Sequence, residues 1–233
     1  MLILAFETSA KAASVALTEN GKLLGESYQN TGLTHSQTLM VMAEDTLKQC
    51  GKTAADVEAV AVAAGPGSFT GVRIGVAAAK GFAWGSEIPC YGVSTLEAMA
   101  ESLGAYEGLV CACMDARRSQ VYNAVFSSEG GKLTRISQDR AIALSELKEE
   151  LKKAEKPIFL VGDGANLCYN TLKEEVPGMV LPAEHKLHQR AVGVAILAQR
   201  MADAGIAPSG GELEPNYLRL SQAEREKLEK MKK

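Results

Sequence analysis

The chain has 233 residues, of which 46% are hydrophobic and 23% are charged, and its formal net charge is −3. This composition is typical of a soluble globular protein, and the length allows one large domain or two small lobes. Proteins that bind nucleic acid usually carry a strongly basic surface, so the charge argues against a chain that holds nucleic acid unaided. No apolar run reaches membrane-spanning length and the N-terminus lacks the basic flank of a signal peptide, so we expect a cytoplasmic location without membrane contact. The five cysteines include no Cys-x-x-Cys pair and indicate reduced, buried thiols.

The first half of the chain predicts three strands, a helix, a strand, a helix, a short strand and a third helix. Asn20-Gly21, between two alternating segments, is a strong hairpin signal. Ser94 and Glu97 have the spacing of a capping box, which should open the third helix. The expected strands cover residues 2–8, 12–18, 22–29, 57–64 and 90–93, and the first two helices cover residues 36–50 and 68–84.

The second half repeats this order of elements, which predicts an α/β fold of two duplicated lobes, each a mixed sheet with helices. The expected strands cover residues 109–114, 120–126, 132–136 and 158–161, and the helices cover residues 144–151, 166–174 and 189–204. We therefore expect an N-terminal lobe over residues 1–104 and a C-terminal lobe over residues 105–220. The remaining residues, 221–233, form a charged tail that suits a solvated helix.

The helix expected over residues 68–84 contains three glycines, Gly71, Gly75 and Gly81. Glycine inside a helix costs about 1 kcal/mol relative to alanine, so three in one helix require a compensating reason. One reason is close packing of the helix backbone against a neighbouring element. The other is an anion site at the glycine-rich turn before the helix, although no Gly-Lys-Ser/Thr sequence completes a P-loop there.

Two carboxylates mark a candidate cleft between the lobes. Glu7 ends the first strand, and Asp115 ends the matching strand of the second lobe. Acidic side chains at such positions suit a metal–nucleotide complex, although each could equally cap a turn. We also expect Arg117, two residues after Asp115, to pair its charge near the hinge, with Glu7 as one partner. His185 and His188 have no third ligand nearby in sequence, so no metal site is predicted.

Several blocks of the chain resemble the TsaB family, also called YeaZ. The most specific blocks are GPGSFTGVRIGVAAAKG at residues 65–81 and MDARRSQVYNAVF at residues 114–126; MLILAFETSAKAASVAL, PCYGVSTLEAMA and PNYLR extend the likeness over nearly the whole chain. The resemblance implies an actin-like, sugar-kinase-type (ASKHA) fold of two lobes. It further implies a partner role in tRNA threonylcarbamoyladenosine synthesis. In that pathway the paralogue TsaD transfers the threonylcarbamoyl group to the adenosine beside the anticodon, and TsaE and tRNA are reached only through the complex.

The chain departs from the catalytic paralogue where that protein's metal ligands would stand. TsaD carries His-x-Glu-Gly-His there, and this chain has Thr95 and Met99 at the two histidine positions. A hydroxyl and a thioether do not replace two imidazoles on a hard metal ion. The first strand ends in Glu7-Thr8-Ser9 rather than the Asp-x-Gly-Thr of kinase-type relatives. The resemblance therefore implies a non-catalytic chain whose vestigial cleft is formed by Glu7, Thr8, Ser9 and Asp115, with no metal.

Two other functions stay open at this point. A sugar- or acetate-kinase-like phosphotransferase would need a working acid at the first strand and an adenosine pocket in the second lobe. A metallopeptidase of the sialoglycoprotein-peptidase type would need the metal-binding pair that Thr95 and Met99 do not supply. We expect no cofactor in the isolated chain, although ATP or ADP could bind at the cleft or at a partner interface.

The first two helices carry more apolar residues than one contact surface needs, which leaves a face for a partner. The alternative is that both helices are simply core. The resemblance implies that TsaD binds the first lobe and that the chain can form a homodimer there. The predicted interface consists of Leu39, Met40, Ala43, Leu47, Val72, Val76, Ala79 and Lys80.

Overall fold

The computed structural model describes residues 1–104 and 106–219, so the predicted charged tail at 221–233 lies outside the described residues. Each half of the chain contributes one mixed sheet. The first half forms β1 Leu2–Glu7, β2 Ala13–Glu19, β3 Lys22–Gln29, α1 His35–Gln49, β4 Ala59–Gly65, α2 Phe69–Ser86, β5 Cys90–Ser94 and α3 Thr95–Leu103. The second half forms β6 Gly108–Asp115, β7 Gln120–Glu129, β8 Lys132–Arg135, β9 Arg140–Ala143, α4 Leu144–Leu151, β10 Ile158–Val161, α5 Ala165–Leu172, β11 Met179–Val180 and α6 Ala191–Asp203.

The first sheet has the strand order β3-β2-β1-β4-β5, with β1 antiparallel to β2 and parallel to β4. Side chains alternate between its two faces, as the period of a strand requires. Leu4 and Phe6 of β1 pack in a cluster with α1 and α2, whereas Ile3 and Ala5 pack in a cluster with α6. The sheet is therefore buried on both faces, which explains why β1 is apolar at every position before Glu7.

The second sheet repeats this plan with the order β11-β10-β6-β7-β8, and β9 also pairs with β7. β6 runs antiparallel to β7 and parallel to β10, as β1 does to β2 and β4. The duplicated order of elements expected from the sequence is present in the structure. The short strands β9 and β11, of four and two residues, were not predicted.

The last helix does not stay with the sheet that precedes it. α6 packs against α3 and against β1, β2 and β4 of the first sheet. A Cβ atom at Gly193 would lie 2.0 Å from the carbonyl oxygen of Ala98, so α6 needs glycine to approach α3 this closely. The predicted C-terminal lobe at residues 105–220 is therefore not a separate packing unit, since its last helix completes the core of the first lobe.

A polar network fixes the start of α6 on the first sheet. The hydroxyl of Ser14 accepts a hydrogen bond from Ala191 N at 3.1 Å and donates to Glu26 Oε1 at 3.0 Å. The Arg190 guanidinium donates to Glu26 Oε2 from Nη2 at 2.5 Å, and the Glu26 side chain is only 8% exposed. Ser14 thereby satisfies a helix N–H that the N-cap residue leaves without a side-chain partner.

Replacing Glu26 with glutamine is expected to lower the free energy of unfolding by about 2 kcal/mol, because it removes the charge from a largely buried hydrogen-bonded pair. Urea unfolding followed by circular dichroism measures this change. Glu129→Gln is the matched control, since its pair with Lys156 is more than half exposed and should contribute much less to stability. Equal losses in the two variants would contradict an anchoring role for Glu26.

Candidate functional site

The carboxyl ends of β1 and β6 border a cavity of about 600 Å³ between the two halves of the molecule. The first lobe contributes the loop after β1 and the first turn of α2, and the second lobe contributes the β6–β7 hairpin and the turn after β10. Its walls include Ser9, Lys11, Phe69, Asp115, Arg117, Tyr122, Asp163 and Arg219. Asp115 thus lies at the cleft that the matching strand ends predicted.

Glu7 lies behind this cavity and is fully buried. Its Oε1 accepts a hydrogen bond from Ser9 N at 2.6 Å, and its Oε2 has no partner among the described residues. Burial raises the pKa of the Glu7 carboxyl from 4.5 to about 7, although hydrogen bonding to Ser9 opposes the shift; the nearby Asp163 adds to it. Because burial penalises the charged form, Glu7 holds its proton over most of the acidic range.

Thr8 and Ser9 are fully buried, and they contact α2 closely. The Thr8 hydroxyl donates to the carbonyl oxygen of Gly71 at 2.7 Å, and Ser68 N donates to the carbonyl oxygen of Ser9 at 2.7 Å. Cβ atoms at Gly71 and Gly75 would lie 2.0 Å and 2.4 Å from oxygen atoms of Thr8. Of the two explanations for the glycine-rich helix, close backbone packing therefore accounts for Gly71 and Gly75.

Asp163 forms the rest of the acidic floor. Its side chain is exposed, and it accepts a hydrogen bond from Gln189 Nε2 at 2.9 Å. Desolvation by the surrounding residues raises the pKa of Asp163, and the neighbouring carboxylate of Asp115 raises it further. A Cβ atom at Gly162 would lie 2.1 Å from the carbonyl oxygen of Cys113, so the Gly-Asp-Gly turn is packed directly on β6.

The cavity combines acidic and basic side chains. Asp115 and Asp163 line it together with Lys11, Arg117 and Arg219, and the buried Glu7 carboxyl lies close to Asp163. Within residues 1–104 and 106–219, no group of three or more histidine, cysteine, aspartate or glutamate side chains is placed to share a metal ion. The binding of ATP or ADP at the cleft or at a partner interface stays a prediction.

The two residues at the paralogue's histidine positions lie in the interior. Thr95 and Met99 are 0% and 1% exposed, and Met99 packs in the cluster that joins α3 to the second sheet. Ser94 caps α3 by accepting a hydrogen bond from Glu97 N at 3.2 Å, as the sequence predicted. The Glu97 side chain instead pairs with Arg135 of β8 at 2.5 Å and so ties α3 to the second sheet.

The predicted partner interface is wrong for six of its eight residues, which lie in the core between the first sheet and helices α1 and α2. Each of the six is at most 5% exposed: Leu39, Ala43, Leu47, Val72, Val76 and Ala79. The physical reason is that both helices lie on the same face of the sheet and bury their apolar sides there. Of the other two, Met40 is exposed, and Lys80 is half-buried and donates to the carbonyl oxygen of Leu213 at 3.2 Å.

The structure shows a different accessible surface on the same helices, which we call the outer face. It comprises Met40 and Val41 of α1 and Arg73, Ala77, Gly81 and Trp84 of α2. Trp84 is 87% exposed and borders a hollow of about 770 Å³ lined by Gly81, Gly85, Gly210 and Gly211. The spacing 73, 77, 81, 84 follows the helical period and could have revealed this face from the sequence.

The segment after α6 crosses from α2 to the second lobe. Asn216 N donates to the carbonyl oxygen of Ala64 at 2.6 Å. The Tyr217 ring stacks on Phe69 with 4.4 Å between centroids, and its hydroxyl accepts from Arg73 Nε at 2.6 Å. Arg219 Nη1 donates to the carbonyl oxygen of Ala116 at 2.5 Å. This segment therefore closes one side of the cleft and holds Arg219 at its edge.

Two further expectations concern the cysteines and the membrane. All five cysteines fall in the described part of the chain and are free thiols, and four of them are buried, as predicted. None of the helices in the described ranges combines the length and hydropathy that a membrane span requires.

Comparison with known proteins gives a consistent result. The family model described as "TsaD: tRNA N6-adenosine threonylcarbamoyltransferase" matches residues 29–227. A tRNA threonylcarbamoyladenosine biosynthesis protein TsaB of Bacillus subtilis is 33% identical over 236 aligned residues, which cover 100% of each chain.

Solved structures show the same relationship. YeaZ from Pseudomonas aeruginosa aligns with a TM-score of 0.77 and 28% identity, covering 93% of this chain and 99% of that one. An activator of 2-hydroxyisocaproyl-CoA dehydratase from Clostridium difficile aligns with a TM-score of 0.51 and 12% identity, covering 88% and 97% of the two chains. At that identity the likeness shows the fold alone. The actin-like, sugar-kinase-type fold expected from the sequence is confirmed.

Proposed function

The chain belongs to the TsaB (YeaZ) family, and from this premise we propose that it acts in tRNA threonylcarbamoyladenosine biosynthesis as the non-catalytic partner of a TsaD-type transferase. The observation that carries the proposal is the full-length match to a TsaB protein in a chain whose own cleft has a protonatable, acidic floor. The relevant assembly is cytoplasmic, and the chain meets TsaE and tRNA within it.

Two features of the cleft support a role without chemistry. Glu7, at the end of β1, is fully buried and its pKa is raised to about 7, so it keeps its proton below neutral pH and is a poor ligand for a metal–nucleotide complex. Thr95 and Met99 are core residues of α3, and they contribute packing where the paralogue is expected to place metal ligands.

The outer face of α1 and α2 is the surface we assign to the partner. It combines exposed apolar side chains, Met40, Val41 and Trp84, with small residues, Ala77 and Gly81, that permit close approach of another helix. Tryptophan is strongly enriched among interface residues that dominate binding energy. The partner is a TsaD chain, and a second copy of this chain competes for the same face.

The proposal is tested by reconstitution. Threonylcarbamoylation of an unmodified tRNA by TsaD from the same organism should depend on this chain, and the chain alone should show no turnover. Sedimentation velocity should show a heterodimer. Full activity of TsaD without the chain, or robust metal-dependent turnover by the chain alone, would contradict the proposal.

Trp84→Ala is expected to weaken association with TsaD about 30-fold, since a central aromatic anchor contributes about 2 kcal/mol or more. The melting temperature should not change, because the side chain is 87% exposed. Ile136→Ala is the matched control, because Ile136 is 59% exposed and follows β8 in the second lobe. Isothermal titration of each variant with TsaD measures the effect. Unchanged affinity of the Trp84 variant would place the interface elsewhere.

A further inference from the structure

Four cationic side chains, which we call the basic rim, surround the mouth of the interlobe cavity. Lys11, Arg117 and Arg219 line the cavity, and Arg118 is adjacent at the tip of the β6–β7 hairpin. None of the four forms an ion pair with any residue in 1–104 or 106–219. The expected pairing of Arg117 with Glu7 is therefore absent from the described structure. This concentration of unpaired positive charge contrasts with the net charge of −3 for the whole chain.

The hairpin backbone holds its two arginines in an unusual conformation. Arg117, Arg118 and Ser119 have φ values of 62°, 56° and 56°, a left-handed region that residues other than glycine rarely occupy, least of all three in succession. Hydrogen bonds fix the loop: Arg117 N donates to Asp115 Oδ1 at 2.7 Å, and Leu144 N donates to the carbonyl oxygen of Ser119 at 3.1 Å. All three tip residues are exposed, so both guanidinium groups are available to an external ligand.

The distribution of charge indicates the shape of the anion. Lys11, Arg117 and Arg219 share the cavity lining with Asp115 and Asp163, so a compact polyphosphate inside it would also approach the two carboxylates. A polyanion lying across the hairpin would meet the exposed guanidinium groups of Arg117 and Arg118. Arg118 also borders a second hollow of about 470 Å³ on the other side of the hairpin, together with the hydroxyl residues Ser145 and Thr171. Arg117 and Arg118 thus present positive charge from the cavity to the hairpin tip. An extended phosphodiester chain can contact both because its phosphates are spaced along its length.

We propose that the basic rim contacts the phosphate backbone of the tRNA on which the complex acts. This inference rests on the proposed function and adds to it a direct contact between this chain and RNA. Arginine and lysine contacts to phosphate position the nucleic acid and carry no sequence information. The contact is weak for the chain alone and adds to the affinity that the partner supplies.

The first test measures the salt dependence of binding between the full chain and a fluorescently labelled tRNA by anisotropy. The expected dissociation constant is micromolar at 50 mM salt. Arg117→Gln/Arg118→Gln removes two phosphate contacts. Each phosphate contact contributes about 0.9 to the slope of the logarithm of the binding constant against the logarithm of the salt concentration. Raising the salt from 50 to 200 mM should therefore weaken tRNA binding by the wild type about tenfold more than tRNA binding by the variant. Glutamine keeps a long polar side chain, and thermal melting checks that the variant folds.

Lys22→Gln/Lys132→Gln is the matched control. It removes the same charge at the β2–β3 and β7–β8 turns. These turns lie beside the amino ends of β1 and β6, whereas the cleft lies at their carboxyl ends. The control should bind tRNA nearly as the wild type does. Absence of saturable binding by the wild type up to about 100 μM protein at 50 mM salt would overturn the inference. So would equal losses in the two double variants, or ATP binding that depends on the two arginines while tRNA binding does not.

The second test separates this inference from the proposed function. In the reconstituted reaction with TsaD, the arginine variant should raise the KM for tRNA several-fold, leave kcat near its wild-type value and bind TsaD normally. If wild-type chain does not stimulate TsaD, the proposed function fails, whatever the first test shows. If wild-type chain stimulates TsaD and the arginine variant has an unchanged KM for tRNA, only the contact with RNA fails. Loss of TsaD binding in the variant would assign the hairpin to the partner interface and also overturn the inference.

Discussion

Val76→Glu is expected to unfold the first lobe rather than to detach a partner from a folded chain. Val76 is 5% exposed and packs in the cluster formed by α1, α2 and the first sheet. An unpaired carboxylate buried there costs about 4 kcal/mol. Domains have a total stability of about 5–15 kcal/mol, so the loss removes a large fraction of it. Urea unfolding monitored by circular dichroism should show a markedly lower midpoint or no cooperative transition at neutral pH.

The matched control introduces the same charge on the same pair of helices. Val41 lies on the outer face and is 57% exposed, so Val41→Glu should change the free energy of unfolding by less than about 0.5 kcal/mol. If the outer face binds the partner, this control should also weaken association with TsaD. A Val76→Glu protein with wild-type stability and no affinity for TsaD would instead return Val76 to the interface.

The order of elements was predictable because local signals agree with one another along the chain. The Asn20-Gly21 turn, the Ser94 cap and the apolar runs of β1, β4 and β6 each specify a boundary or a buried strand within a few residues. The long-range return of α6 to the first sheet was not predictable. It depends on Gly193 meeting Ala98 and on Arg190 meeting Glu26, contacts that no local periodicity encodes.

Helix faces were harder to assign than helix positions. In α2, Val72, Val76, Ala79 and Ala83 form one buried stripe at helical spacing, and Arg73, Ala77, Gly81 and Trp84 form the exposed one. Valine and alanine occur on many kinds of surface, so their spacing indicates a shared stripe but not whether it faces a sheet or a partner. The exposed tryptophan is the residue that distinguishes the two faces.

The candidate site was predictable in position but not in charge state. Glu7 and Asp115 end matching strands, and the structure places both at the interlobe cleft, Asp115 on its wall and Glu7 behind it. The sequence alone does not specify how deeply each is buried, and burial decides whether a carboxyl group is ionised. The expected ion pair between Glu7 and Arg117 was wrong for this reason, because Arg117 is exposed while Glu7 is sealed from solvent.

Glu7→Gln is expected to stabilise the protein above neutral pH and to have little effect near pH 4.5. The folded state raises the pKa of Glu7 from 4.5 to about 7, mainly through burial. Between these values the unfolded chain has lost the proton while the folded chain retains it. The stability associated with the protonated carboxyl is therefore fully present below pH 4.5 and is lost as the pH rises to about 7. The pKa gap corresponds to about 3 kcal/mol.

Glutamine is neutral at every pH and can keep the hydrogen bond from Ser9 N through its own Oε1. Urea unfolding at intervals from pH 4.5 to pH 8 should therefore show the variant gaining up to about 3 kcal/mol over the wild type as the pH rises. Asp163 is present in both proteins and adds to the pKa shift of Glu7, so the difference between them reports on Glu7 together with its coupling to Asp163. The control Glu44→Gln alters an exposed residue of α1 and should stay within about 0.5 kcal/mol of the wild type throughout. A difference between Glu7→Gln and the wild type that does not vary with pH would mean that Glu7 is ionised in the folded protein, and the cleft would then hold a buried negative charge that needs a cationic partner.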